Sequence, residues 1–158
     1  MAYEIEHKFL VSNTDYRSMA QKIIRIEQGY LSADPDRVVR IRITDEMAFL
    51  TVKGRNIEPD FAKLKCDFRH EFEYEIPVED ARQMIQMCKY KLQKTRYIVP
   101  FEGFIWEVDE FHGRHEGLTV AEIELDKPGE TFSIPSFVGK EVTGDPKYYN
   151  SSLSKQLD

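Results

Sequence analysis

The segment Tyr3-Glu4-Ile5-Glu6-His7-Lys8-Phe9-Leu10-Val11 alternates charged and apolar side chains along most of its length. One face of the extended chain would carry Glu4, Glu6 and Lys8, and the other would carry Ile5, His7 and Phe9. A period of two residues is typical of a β-strand, because successive side chains in a strand point to opposite faces. The N-terminus therefore predicts a strand with one charged face.

Seven further segments are predicted as strands, several of them with the same period: residues 30–33, 38–43, 48–53, 69–76, 92–99, 105–110 and 118–125. Apolar residues at helical spacing predict a helix from about residue 15 to 28, since Met19, Ala20, Ile23 and Ile24 recur at that period. A short helix is expected at about 79–88 and a final one at about 146–157. The polar stretch around Pro59 is expected to be a loop.

Eight strands with short connections favour sequential antiparallel pairing, and closing them into a barrel removes exposed sheet edges. The 158 residues suit one domain with a single core. The predicted fold class is therefore α+β, mainly β. We expect one domain over residues 1–158, built as a closed eight-stranded antiparallel barrel, a tunnel, with helices packed on the outside.

Composition excludes several functional classes. The formal net charge of −6 argues against a nucleic-acid partner, and no apolar run reaches the length of a membrane span. The first residues lack the basic and apolar stretches of a signal peptide. Cys66 and Cys88 have no metal-ligand spacing and are expected to be free thiols in a reducing compartment. A cytoplasmic location is the prediction.

Like charges two residues apart recur along the predicted strands. The doublets are Glu4/Glu6, Arg40/Arg42, Glu73/Glu75, Lys94/Arg96, Glu107/Asp109 and Glu122/Glu124. Such side chains lie roughly 7 Å apart on one face. Their repulsion is about 0.6 kcal/mol in water but about 2.4 kcal/mol at an effective dielectric of 20. A single strand of this kind more often has a solvated face, but six doublets of both signs suit a partly enclosed site that holds ligands.

A ligand that carries both signs of charge would match this pattern. Paired carboxylates suit a hard cation such as Mg²⁺, which prefers oxygen ligands. Arginine doublets can bind phosphate oxygens through two hydrogen bonds each, and lysine adds a point charge. A divalent cation bound to a polyphosphate accounts for both signs, and the helices would then cover the apolar outer faces of the strands.

These residues resemble the CYTH superfamily, also called the triphosphate tunnel metalloenzymes. The opening Glu4-Ile5-Glu6-His7-Lys8 is similar to the family's Glu-x-Glu-x-Lys signature. Further similar segments follow in the family's order: Gln28-Gly29-Tyr30-Leu31, Arg40-Ile41-Arg42, Thr51-Val52-Lys53, Glu73-Tyr74-Glu75, Lys94-Thr95-Arg96, Glu107-Val108-Asp109, Glu122-Ile123-Glu124 and the tail from Glu141 to Tyr148. The resemblance covers nearly the whole chain and is closest to the small bacterial members.

The resemblance implies an eight-stranded tunnel that hydrolyses a triphosphate, most similar to the bacterial tripolyphosphatases, with Mg²⁺ or Mn²⁺ as cofactor. Under that hypothesis the metal ligands are Glu4, Glu6, Glu122 and Glu124, with Glu73, Glu75 and Asp109 as helpers or second-metal ligands. The phosphates would be held by Lys8, Arg40, Arg42, Lys53, Lys94 and Arg96. Glu4, Glu6 and Lys8 are the candidate catalytic residues, and Lys8 would contact a phosphate or assist the leaving group.

Other functions stay open at this point. An adenylyl cyclase would use the same residues and a nucleoside pocket at the tunnel mouth, and a thiamine triphosphatase would need an aromatic stack. A non-catalytic module that binds polyphosphate or nucleotides is a different class, as is a sheet protein with an ordinary charged surface. Glu71 is expected to be solvated. Oligomeric state is left open, a homodimer included.

Overall fold

A computed structural model describes residues 3–57 and 66–155, and its strands form one antiparallel sheet. The strands are β1 Tyr3–Val11, β2 Lys22–Ser32, β3 Arg37–Thr44, β4 Met47–Asn56, β5 Asp67–Ile76, β6 Tyr90–Phe101, β7 Phe104–Phe111, β8 Thr119–Glu124 and β9 Val138–Glu141. The helices are α1 Tyr16–Met19, α2 Val78–Met87 and α3 Asn150–Lys155, with short 3₁₀ turns at Gly113–His115 and Pro146–Tyr148.

The sheet closes on itself. Its order is β5-β4-β3-β2-β6-β7-β8-β1-β9, and an additional pairing of β5 with the start of β1 closes a ring of eight strands. Glu4 lies opposite Arg69 in that closing pair, while the later part of β1 pairs with β8. The predicted closed eight-stranded antiparallel barrel is confirmed. The short strand β9, which was not predicted, adds to β1 beyond the closed ring.

The predicted helix over residues 15–28 is wrong, because only α1 is helical and β2 occupies the second half of that range. Ile23 and Ile24 fit a helical period, but they also begin an alternation in a segment rich in β-branched isoleucine, which favours strands. In β2, Ile26 is buried while Ile23 is 57% exposed. The strand predicted at residues 30–33 is only the end of this longer one.

Apolar residues on the outer face of the barrel form two clusters. The larger one contains Trp106, which is fully buried and contacts the rings of Phe9, Phe132 and Phe137. Tyr16 of α1 packs on the same cluster. The second cluster joins β3 and β4 to Ala81 and Ile85 of α2. The charged faces of the strands therefore point inward, as predicted.

Helix α3 lies elsewhere than expected. Its Leu153 is buried among side chains that include Tyr30, Leu92, Phe111 and Val120, which face the interior by strand register. This helix therefore packs into one end of the barrel, whereas α1 and α2 cover its outside. The helical prediction for 146–157 resolves into a 3₁₀ turn and α3, and its last two residues lie outside the described ranges.

Two further predictions concern the chain as a whole. Cys66 and Cys88 are free and buried, in agreement with the expectation of unpaired thiols. The loop predicted around Pro59 lies outside the described residues. In residues 3–57 and 66–155, no helix has both the length and the apolarity needed to cross a membrane.

Candidate active site

A cavity of about 180 Å³ lies inside the barrel and is lined mainly by charged side chains. The two signs occupy different halves of the barrel. The basic half is β4-β3-β2-β6, whose side chains are Lys53, Arg40, Arg42, Lys94 and Arg96. The other half is β7-β8-β1-β5, whose carboxylates are Glu107, Glu122, Glu124, Glu4, Glu6, Glu71 and Glu73, with Lys8 and Arg69 as the basic exceptions.

The acidic half holds carboxyl groups that repel one another. Burial, Glu122 and Glu4 together raise the pKa of Glu6 well above its ordinary value. Burial and the neighbouring charges of Glu4 and Glu71 raise the pKa of Glu124 to about 7. Burial is the largest cause of both shifts, and the neighbouring carboxylates add to it because like charges repel. A cation between these carboxylates would relieve the repulsion.

The basic half shows the opposite imbalance. Burial, Arg40 and Arg96 lower the pKa of Arg42 to about 9. Burial also lowers the pKa of Lys94 to about 7, to which the charges of Arg96 and Arg42 contribute against the attraction of Asp109. The buried Nε of Arg40 has no hydrogen-bond partner among the described residues. An anion on this side would satisfy both the charge and the free donor.

Some charges are already paired across the cavity. The Lys53 Nζ lies 2.8 Å from a Glu4 carboxylate oxygen, and Arg40 lies 3.5 Å from Glu73. Burial disfavours ionisation of Glu4, but Lys53 and Arg69 lower its pKa below the ordinary range. These ion pairs link side chains of the acidic half to side chains of the basic half, and all four residues line the cavity.

Asp109 has a different environment from the other candidate metal ligands. It is fully buried, accepts two hydrogen bonds from Arg96 at 2.8 and 2.9 Å, and lies 2.7 Å from Lys94 Nζ. Burial opposes its ionisation, but Arg96 and Lys94 lower its pKa to about 2. The Asp109 carboxylate oxygens are therefore already bound by the side chains of Arg96 and Lys94, and Asp109 does not line the cavity.

Lys8 is a buried cation on the acidic half. Burial alone would lower its pKa, but Glu122 and Glu6 outweigh that effect and raise it. Its Nζ donates a hydrogen bond to the backbone oxygen of Tyr148 at 3.0 Å. Lys8 is therefore a permanently charged donor that faces the cavity near the turn preceding α3.

The carboxylates fit a divalent cation by their chemistry. Glu4, Glu6, Glu122 and Glu124 all line the cavity and supply only oxygen donors, which Mg²⁺ and Mn²⁺ prefer. In the described ranges no three Asp, Glu, His or Cys side chains are already arranged as a metal cluster. The carboxylates of Glu122 and Glu4 nevertheless add to burial in raising the pKa of Glu6, and a cation would offset their repulsion.

Most predicted site residues meet in this cavity. Glu4, Glu6, Lys8, Arg40, Arg42, Lys53, Glu73, Lys94, Arg96, Glu122 and Glu124 line it, whereas Glu75 and Asp109 do not. The expectation that Glu71 is solvated is wrong: its carboxylate lines the cavity 3.3 Å from Lys53 Nζ.

Several lining residues were not anticipated. Arg69 continues the alternation of β5 on the same face as Glu71, so the period could have identified it. Tyr149, Asn150 and Ser151 also line the cavity, but they follow a 3₁₀ turn and carry no periodic signal.

Comparisons with known proteins agree with this geometry. The CYTH domain model matches residues 2–155 of the chain. An inorganic triphosphatase from Acetivibrio thermocellus is 45% identical over 157 residues, which is 98% of this chain and 95% of that protein. An inorganic triphosphatase from Nitrosomonas europaea is 28% identical, with 98% of each protein covered.

Solved structures share the architecture. The crystal structure of an inorganic triphosphatase is 26% identical to this chain, with a TM-score of 0.66 over 99% of this chain and 97% of that one. A putative adenylyl cyclase from Hippeastrum, for which a dominant triphosphatase activity is described, is 17% identical. Its TM-score of 0.59, over 78% of this chain and 80% of its own, reflects a shared fold.

Proposed function

Because the chain belongs to the CYTH domain family, we propose that it is a metal-dependent triphosphatase that hydrolyses a linear triphosphate, inorganic tripolyphosphate in particular. The observation that carries this proposal is the division of one cavity, inside the closed barrel, into an acidic and a basic half. Each half is short of the opposite charge, and a triphosphate with a divalent cation supplies both.

The basic half would bind the substrate. Arg40 and Arg42 of β3 and Lys53 of β4 would hold phosphate oxygens, and the free Nε of Arg40 provides an unused donor. Lys94 and Arg96 of β6 would offset the negative charge that builds on the leaving diphosphate. Asp109 orients both of these bases through direct hydrogen bonds or ion pairs, which supports a role in their placement.

The acidic half would hold the cofactor. Glu4, Glu6, Glu122 and Glu124 are the proposed ligands of Mg²⁺ or Mn²⁺, and Glu73 is a proposed helper. Roles for Glu75 and Asp109 as metal ligands stay predictions. When bound, the divalent cation supplies polarisation of phosphate oxygens and a water of lowered pKa. Lys8, which stays protonated, would contact a phosphate or stabilise the leaving group rather than remove a proton.

Nucleotide and thiamine substrates need an apolar or aromatic pocket as well as a phosphate site. Of the residues that line the cavity, only Tyr30, Tyr149 and Val38 offer such surface. Tyr30 and Val38 pack in the apolar cluster around Leu153, and the Tyr149 ring lies against Lys8 and Arg69. These contacts leave little surface for a base, which supports an inorganic substrate.

The test is to incubate the pure protein with tripolyphosphate, ATP and thiamine triphosphate, with Mg²⁺, with Mn²⁺ or with a chelator, and to identify the products. We expect metal-dependent release of phosphate from tripolyphosphate, well above that from the other two. Cyclic AMP from ATP would replace the proposal with a cyclase. Tight binding of tripolyphosphate without turnover would indicate a binding module.

A matched pair of variants extends this test to the site. Glu6→Gln removes a carboxylate whose charge its neighbours oppose, so the fold should survive while turnover falls roughly a hundredfold or more. Glu79→Gln makes the same chemical change on the exposed first turn of α2 and should leave turnover unchanged. Equal activity of the two variants would remove Glu6 from the proposed metal ligands.

A further inference from the structure

Asn150, the first residue of α3, contacts side chains of two adjacent strands of the basic half, β2 and β6. Its Oδ1 accepts a hydrogen bond from Lys94 Nζ at 2.7 Å and another from Gln28 Nε2 at 3.3 Å. Both donor residues are buried, Gln28 completely. One amide oxygen can accept two hydrogen bonds through its two lone pairs, so both contacts can exist together.

The orientation of these two amides follows from their partners. Arg42 has only donors, and its Nε donates to Gln28 Oε1 at 3.0 Å, so the Gln28 amino group must point the other way. That amino group donates to Tyr30 OH at 2.8 Å and to Asn150. Lysine also has only donors, and therefore Asn150 must present its oxygen to Lys94 and Gln28. A continuous chain runs from Arg42 through Gln28 and Asn150 to Lys94.

Helix α3, which carries Asn150, is anchored at the end of the barrel into which it packs. Leu153 is buried among the apolar side chains of that end, and His115 hydrogen-bonds its backbone oxygen at 2.7 Å. Lys8 Nζ contacts the backbone of Tyr148 just before the helix. Anchored on both sides in this way, Asn150 can fix the position of a flexible lysine side chain at the cavity wall.

The neutral charge of Asn150 matters as much as its position. Lys94 already has one carboxylate partner, Asp109, at 2.7 Å. A second carboxylate at position 150 would add a negative charge beside the amine and so reduce the attraction of this part of the site for phosphate. An amide oxygen holds the amine in place without adding a negative charge.

We propose that Asn150 is a positioning residue of the active site, which holds the Lys94 amine at the cavity and links it to the Arg42 guanidinium through Gln28. This inference rests on the proposed function, because Lys94 and Arg42 are assigned there to the phosphates. Asn150 acts through Lys94 and is not assigned a contact with the reacting atoms.

The test compares three variants with tripolyphosphate and Mg²⁺, with kcat, KM and melting temperature measured for each. Asn150→Ala should lower kcat about ten- to a hundredfold, the range that corresponds to loss of a hydrogen bond to a charged group. Asn150→Asp can still accept both hydrogen bonds, so it should recover much of kcat but raise KM. A purely structural role would not separate kcat from KM in this way.

Ser154→Ala is the matched control on the same helix. Ser154 is buried and its Oγ donates to the Ser151 backbone oxygen at 2.7 Å, but it does not line the cavity. This variant should lose some stability and keep its kcat. The inference is overturned if Asn150→Ala keeps a kcat within twofold of the unmodified protein, or if Asn150→Asp keeps an unchanged KM. Failure of the proposed function is separate, since the unmodified protein would then release no phosphate from tripolyphosphate.

Discussion

Glu6 is a buried carboxyl whose closest charged neighbours include two other carboxyls, Glu122 and Glu4. Its raised pKa, and that of Glu124 at about 7, mean that protons occupy the acidic half when no cation is present. Binding a divalent cation requires ionised carboxylates, so metal binding and proton release are linked. The number of protons released on metal binding therefore reports how many protonated carboxyl groups become metal ligands, and variants identify which ones.

We predict that Mg²⁺ binding releases protons at about pH 6.5 and that fewer are released as the pH rises above the pKa of Glu124. The sign follows from the raised pKa values: the metal-free folded state holds protons that the metal-bound state cannot keep. Titration calorimetry in buffers of different ionisation enthalpy measures the number. Glu6→Gln should reduce it, and a proton count of zero at about pH 6.5 would contradict the prediction.

The raised pKa of Glu124 also affects the folding stability of the metal-free protein. The unfolded chain releases the Glu124 proton at its ordinary pKa of 4.5, whereas the folded state retains it to about 7. Stability of the metal-free protein should therefore fall as the pH rises through that window. The Glu124 side chain is exposed, so solvent screening keeps this effect small.

Helix α2 and strand β2 meet where a glycine lets them approach closely. A Cβ placed on Gly29 would lie 2.8 Å from the Cys88 Sγ and 2.9 Å from its Cβ. Cys88 follows the last turn of α2, where backbone and side chain have little freedom to withdraw. The contact sets how closely the helix covers the outer face of the barrel.

We predict that Gly29→Ala destabilises the protein by about 1–3 kcal/mol, the usual range for overpacking in a well-packed core. Chemical denaturation measures this change. Cys88→Ala in the Gly29→Ala background removes the sulfur but keeps the Cβ, so it should recover part of the loss. An unchanged midpoint for Gly29→Ala would show that the helix moves freely here. No recovery in the double variant would show that the Cys88 sulfur is not the source of the overpacking.

Strand positions were predictable from the sequence wherever charge and apolarity alternate. In β5 and β8, for example, Glu73 and Glu122 lie on the predicted inner face because register transmits a period of two through the sheet. The prediction failed at β2, where Ile23 and Ile24 satisfy a helical and an extended period at once. Short apolar runs are ambiguous in this way, and only pairing with β3 and β6 decides them.

The site could be predicted only where its residues belong to that alternation. Lys94 and Arg96 form a like-charge doublet on one face of β6, which the sequence alone reveals. Asn150 and Tyr149 could not be found in the same way, because they enter the cavity from a turn that packs into the end of the barrel. Their position depends on how Leu153 docks in three dimensions, which local sequence does not encode.

The closed barrel holds an acidic and a basic set of side chains on opposite halves of one cavity. Arg42 shows the cost on the basic half, since burial and the neighbouring arginines lower its pKa to about 9. Such self-repulsion opposes folding and is relieved by an anion. Because residues 1–158 are proposed to form one domain, this repulsion should lower the stability that is measured in a single cooperative unfolding transition.

We therefore predict that tripolyphosphate stabilises the protein even when a chelator removes divalent cations, because the basic half binds phosphates on its own. At a ligand concentration of about 100 times Kd the gain is about 2.7 kcal/mol, or roughly 5–10 °C in melting temperature for a chain of this size. Differential scanning calorimetry measures the shift.

Diphosphate and orthophosphate at the same concentration should give smaller shifts, since they reach fewer of the five basic side chains. Arg40→Ala should reduce the tripolyphosphate shift, while Lys155→Ala, on the exposed end of α3, should not. Equal shifts for the three anions would mean that they bind as simple counterions and that the cavity does not distinguish phosphates by the number of phosphate groups.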